Sequence, residues 1–107
     1  FEKIVEKEKP DMILVYGDTN TTLAGAIVAS KMKIPVAHVE AGIRQEPKDM
    51  PEETNRVLTD RISTFLFCPT QLAVDNLKKE NITKKTILKG TCCLKNEILF
   101  LAIKLLY

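Results

Sequence analysis

The chain has 107 residues, room for one modest domain and not for two of ordinary size. Its 16 basic and 14 acidic residues leave a net charge of +2, and the lysines are scattered with no basic stripe, so composition gives no case for a nucleic-acid partner. Cys68, Cys92 and Cys93 show neither the C-x-x-C spacing of a zinc site nor the even, spread count of a disulfide scaffold, which predicts no bound metal and fits a reduced, cytoplasmic protein.

In chain order, Phe1, Ile4 and Val5 have helical spacing, and Pro10 closes that helix. The short run "MILVYG" is apolar, branched and bounded by turn residues, which predicts a buried strand. Residues 21–33 read as a helix, with Leu23, Ala26, Ile27, Ser30 and Met32 near the helical period and Ile34-Pro35 ending it. "PVAHVEAG", residues 35–42, is a second strand, and "IRQEPKDM" lacks periodicity and reads as a loop. "PEETNRVLTDRIS" opens with Pro51 and glutamates, which suit the first helical positions and the positive end of the helix dipole. "TFLFCP" is a third strand, "TQLAVDNLKKENI" a helix, "KTILKG" a fourth strand and residues 94–107 a last helix.

The longest apolar run, residues 98–107, is interrupted by Lys104 and too short to span a bilayer, and no signal peptide is visible. The chain begins inside an amphipathic pattern without an initiator methionine and stops inside an apolar run, so a fragment of a larger protein is expected. Strands alternating with helices at this spacing predict an α/β fold, an open, doubly wound parallel sheet of Rossmann-like type. In such a sheet all strands end at one edge, and ligands bind in the crevice outside those carboxyl ends.

Three acids reach that edge. Asp18 follows the first strand, Glu40 ends the second, and Glu52 lies in the first turn of the helix that starts there. Crowded carboxylates split their proton affinities, which suits general acid and general base work. Each has a structural alternative: an N-cap for Asp18, a dipole-favoured helix opening for Glu52, and for Glu40 the weakest one, since it occupies no capping position. His38 alternates with Glu40 along the strand and reads either as a packed, hydrogen-bonded histidine or as part of the site. Thr19, with the helix start behind it, has backbone amides suited to a phosphate or sugar oxygen, and Arg44, Arg56 and Arg61 are anion contacts or salt-bridge partners. Neither G-x-G-x-x-G nor G-x-x-x-x-G-K-[ST] is present, so no nicotinamide cofactor is expected.

The ordered combination "GDTNTTLAGAIVASKMKIPVAHVEAGIR", "MPEETNRVLTDRIS", "FCPT" and "NLKKENI" resembles the non-hydrolysing UDP-N-acetylglucosamine 2-epimerase family, from Pro10 to Ile82. That resemblance implies two Rossmann-like domains facing across a cleft, the glycosyltransferase-B arrangement, with residues 1–107 as part of the N-terminal one and the nucleotide-binding domain absent. It implies interconversion of UDP-N-acetylglucosamine and UDP-N-acetylmannosamine by elimination and re-addition of UDP, without a cofactor, in a cytoplasmic enzyme of cell-surface polysaccharide biosynthesis whose parent is a homodimer. Asp18, Glu40 and Glu52 match the family's acids in "GDT", "VEAG" and "PEE"; Thr19, His38, Arg44 and Arg56 are the expected substrate contacts. Beyond Ile87 the pattern departs from the family's, with only Gly90 clearly in place, and the isolated chain is expected to be inactive. The competing expectations are a haloacid-dehalogenase-like phosphatase, disfavoured because Asn20 stands where a second acid is needed, and a non-catalytic α/β binding or assembly domain.

Overall fold

In a computed structural model of the chain, residues 1–82 and 86–89 are described. They form α1 (Glu2–Glu8), β1 (Ile13–Tyr16), α2 (Asn20–Lys31), β2 (Val36–Val39), α3 (Pro51–Ile62), β3 (Phe65–Cys68), α4 (Gln71–Lys79) and β4 (Thr86–Lys89). The expected last helix, 94–107, lies outside the described residues.

The helix boundaries follow from local chemistry. The Thr19 hydroxyl oxygen accepts from the Thr22 amide at 3.2 Å and caps α2; Thr70 does the same for α4 from Ala73, also at 3.2 Å. Met50 precedes α3 without a side-chain cap, and Pro51 occupies the first helical position, where its missing N–H costs nothing. The residues after Met32, the C-cap of α2, form a Schellman motif: Lys33 takes φ 60°, and the Lys33 and Ile34 amides donate to the Ser30 and Ala29 carbonyls. The turn, more than Pro35, therefore ends α2. After α4, Asn81 at φ 61° repeats the motif, with Ile82 packed on Leu77.

All strands pair in parallel in the order β1-β2-β3-β4, so the α/β, open parallel, Rossmann-like expectation is met. The order runs in one direction; the reversal that would make the sheet doubly wound does not occur among the described strands. Right-handed crossovers along such a sheet put successive helices on one face. Val15 and Val36 accordingly pack against Ala26 and Ala29 of α2, while Leu66 and Cys68 pack against Ala73 and Leu77 of α4. Between these two apolar clusters His38 of β2 meets α3, and the contact there is polar. Ala37, Val39 and Phe67 form a separate cluster on the other sheet face with Met12, Leu14 and Phe65.

Candidate functional site

Tyr16 and Val39 are register partners, so β1 and β2 end side by side and deliver Asp18 and Glu40 to one edge. Gly17 takes φ 71° and donates its N–H to the Val39 carbonyl at 3.2 Å, which turns the chain over the end of β2. A Cβ built on Gly17 would lie 3.8 Å from Glu40 Oε2, so the Glu40 carboxylate rests against the turn that carries Asp18.

Glu40 falls one residue past the end of β2 and adopts φ 70°, in the left-handed region. That conformation costs a residue with a Cβ about 1–2 kcal/mol. Strand alternation therefore stops at Val39 and does not set the direction of the Glu40 side chain. Strained backbone at a sheet's carboxyl edge is typical of positions where side-chain placement serves function.

Asp18 is not the N-cap, because Thr19 holds that position. The Asp18 carboxylate instead pairs with the Arg56 guanidinium of α3. Arg56 also donates to Glu53 Oε2 at 3.1 Å, and Asn55 Nδ2 donates to the Asp18 carbonyl at 2.9 Å and to Asn20 Oδ1 at 3.0 Å. The first turns of α3 thus hold the Asp18 turn by backbone and side chain. The Thr19 hydroxyl is spent on the cap and on the Thr22 hydroxyl at 3.0 Å, which leaves the expected sugar or phosphate contact to its backbone.

The other expected site residues divide. Glu52 is exposed in the first turn of α3, while its neighbour Glu53 is 4% exposed and accepts from the Gln45 amide at 3.0 Å. The structure joins Asp18 and Glu40 at one turn and links Glu53, not Glu52, to Asp18 through Arg56. His38 is corrected from a substrate contact to an internal link, since it is 0% exposed and both ring nitrogens are bonded inside. Its Nδ1 lies 2.5 Å from Asp60 Oδ1 and its Nε2 2.7 Å from the Gly17 carbonyl.

The Arg44 guanidinium also turns toward internal carboxylates, though its side chain stays 15% exposed. Nε and NH2 donate to the two Glu80 oxygens at 2.6 and 3.0 Å, and NH1 donates to Asp60 Oδ2 at 2.9 Å. Burial works against this charge, but the Glu80 hydrogen bonds and the Asp60 charge outweigh it and hold Arg44 above its ordinary pKa. Arg61 donates to the Glu80 carbonyl at 3.1 Å.

Sequence reasoning passed over Glu53, Asn55 and Asp60. The available signal was α3 itself, whose 53, 56 and 60 positions share one helical face without an apolar residue among them, so a buried face there had to be polar.

Cys68 is 1% exposed, and burial followed by the Asp60 charge pushes its thiol up to about 12. It is no nucleophile near neutral pH. Peptide mapping of the native protein treated with iodoacetamide at pH 8 should leave Cys68 unmodified, with alkylation appearing only after denaturation. Because the folded pKa is raised, the stability that Cys68 contributes is present below the unfolded thiol's pKa and declines as pH rises from there toward 12.

A cavity of about 720 Å³ between the 45–48 segment, α3 and α4 is lined by residues including Arg44, Lys48, Glu53, Leu58 and Lys79. Neither Asp18 nor Glu40 borders it, so it is separate from the carboxylate edge. Among the described residues no cluster of three or more His, Cys, Asp or Glu is placed to hold a metal, and no helix is long and apolar enough to cross a membrane.

A parallel sheet with two carboxylates at the ends of adjacent strands, tied together by a polar helix face, defines a Rossmann-like α/β unit with an acidic strand-end site. The family described as UDP-N-acetylglucosamine 2-epimerase matches residues 1–91, and the chain belongs to that family. It is 58% identical over 84 residues to UDP-2,3-diacetamido-2,3-dideoxy-D-glucuronate 2-epimerase of Pseudomonas aeruginosa, covering 78% of this chain and 24% of the relative. It is 62% identical over 86 residues to UDP-N-acetylglucosamine 2-epimerase of Methanocaldococcus jannaschii, covering 80% of this chain and 24% of the relative. The solved structure of the Methanocaldococcus jannaschii enzyme in complex with UDP-GlcNAc and UDP superposes with a TM-score of 0.79 at 60% identity, over 82% of this chain and 24% of that one. The chain therefore spans about a quarter of the length of the relatives it matches.

Proposed function

We propose that this chain is part of the N-terminal Rossmann-like domain of an isomerase that interconverts UDP-N-acetylglucosamine and UDP-N-acetylmannosamine, with Asp18, Glu40 and Glu52 as its acids. The observation that carries the reading is the Glu40 carboxylate, held by left-handed backbone against the turn bearing Asp18. Family membership supports the reading, as does the UDP-GlcNAc and UDP named in the Methanocaldococcus jannaschii complex.

Inversion at carbon 2 by this route needs a base to take the carbon-2 proton while the carbon-1 to oxygen bond breaks. Its electron pair leaves with UDP, and a carbon-1 to carbon-2 double bond forms. Re-addition returns UDP to carbon 1 and a proton to the opposite face of carbon 2. One carboxylate serves as the base, a protonated one as the returning acid, and a negative charge nearby stabilises the positive charge that builds at carbon 1. Two carboxylates on adjacent strand ends, with a third on the next helix start, supply those roles. The remainder of the proposal is a UDP-sugar partner, a homodimeric parent, a cytoplasmic setting and a role in cell-surface polysaccharide synthesis.

The test offers UDP-N-acetylglucosamine to a full-length family member carrying this segment, with the products separated by chromatography. UDP-N-acetylmannosamine is the expected product; no interconversion overturns the reading. The Pseudomonas aeruginosa relative favours a second substrate, so UDP-2,3-diacetamido-2,3-dideoxy-D-glucuronate belongs in a parallel arm, and exclusive turnover there would reassign the sugar. The isolated 107-residue chain should give no measurable turnover of either, because one wall of a cleft cannot pre-organise a reaction that needs two.

A further inference from the structure

We propose that Asp60 and His38 are a positioning pair that fixes the Asp18 turn relative to the Glu40 turn. This rests on the epimerase reading of those two acids. Asp60, on α3, is 0% exposed. Its Oδ2 accepts from the Gly42 amide at 3.0 Å, two residues past Glu40, and its Oδ1 faces His38 Nδ1 at 2.5 Å. The far side of the imidazole, Nε2, bonds the Gly17 carbonyl at 2.7 Å, one residue before Asp18.

The Gly17 carbonyl can only accept, so Nε2 donates to it, while Nδ1 meets Asp60 Oδ1 at the other end, and the ring is held at both ends as a strut between α3 and the Gly17 turn. One buried carboxylate thereby anchors both catalytic turns: one directly, the other through the imidazole. Arg44 NH1, at 2.9 Å from Oδ2, adds a further donor to the same carboxylate. Beyond the ends of β1 and β2 at Tyr16 and Val39, a backbone bond from the Gly17 N–H to the Val39 carbonyl at 3.2 Å already joins the two turns, and the Asp60–His38 pair adds the side-chain link that ties both to α3.

Stability alone is a poor reason for such a group, since replacing both partners of a buried hydrogen bond by apolar groups of the same shape is commonly close to neutral. The hydrogen bonds end on the backbone of the two turns that carry the acids. Neither Asp60 nor His38 touches the substrate; both act through the placement of Asp18 and Glu40.

The test uses the full-length enzyme. Asp60→Asn should lower kcat about 100-fold, the scale expected when reacting groups are misplaced by about an ångström, with KM changed less than about threefold. Activity is counted per folded molecule, from circular dichroism at the assay temperature, so a merely structural role would leave kcat unchanged. Retained kcat per folded molecule overturns the proposal. Where Asp60→Asn fails to fold, His38→Gln decides, since it keeps a donor for the Gly17 carbonyl but loses the rigid link to Asp60: lost kcat with retained KM supports the pair, and retained kcat overturns it. If the unsubstituted enzyme does not turn over UDP-N-acetylglucosamine, the function reading has failed instead. The positional claim is then decided by a crystal structure of the variant, in which unmoved Gly17 and Glu40 turns overturn it and displaced turns support it.

Discussion

Glu40→Gln in the full-length enzyme is expected to remove between about 100-fold and 10,000-fold of kcat, the range that a positioned acid or base supplies. The amide keeps the size and shape of the carboxylate but cannot accept or deliver a proton at carbon 2. The side chain lies at the strand-end edge and is only partly buried, against the Gly17 turn, so the substitution removes little packing. The thermal midpoint is therefore expected to change little beside the loss of turnover. Kinetics and melting measured together separate the two readings of this acid. Lost turnover with an unchanged midpoint supports catalysis, whereas a large fall in the midpoint with activity retained by the folded fraction supports a binding or assembly domain in which the acid is structural.

Gly42→Ala is expected to cost the most stability of any single methyl addition at the described glycines. A Cβ there would fall 2.3 Å from the Ala73 carbonyl oxygen and 2.8 Å from its carbon, and both are α4 backbone atoms that cannot rotate away. The position also requires φ 79°. Overpacking of about 1–3 kcal/mol and left-handed strain of about 1–2 kcal/mol add to a large share of a domain's stability of roughly 5–15 kcal/mol. The clash also threatens the bonds on either side of Gly42, from its amide to Asp60 and from Asn76 Nδ2 to its carbonyl at 3.0 Å. Gly17→Ala is the control, because its nearest new contact is at 3.8 Å and only the backbone strain applies. Urea denaturation of the two variants should show Gly42→Ala far more damaging; equal midpoints would mean that the α4 backbone yields.

The sequence by itself determined the alternation of strands and helices, the all-parallel sheet and the arrival of Asp18 and Glu40 at one edge. Those follow from local signals: the branched run 12–17, the small-residue helix behind Thr19, Pro51 with its acids, and the handedness of the crossovers between them. The motifs also carried the family, because "GDT", "HVEAG" and "PEE" lie close together in order. Tertiary structure decided which polar groups do what. Whether Asp18 or Thr19 caps α2 depended on the direction of each side chain at a turn, and the approach of Arg56, 38 residues away, fixed it. Glu52 and Glu53 are equivalent as helix-opening residues, yet a rotation of about 100° per helical residue exposes one and buries the other. His38 and Arg44 looked free to meet a ligand only while Asp60 was out of view, since its acceptors are brought to them by α3 from 22 and 16 residues along the chain. Periodicity reports which face of an element is apolar. Where the buried face is polar, as in α3, the partners come from distant segments, and the pairing exists only once the chain has folded.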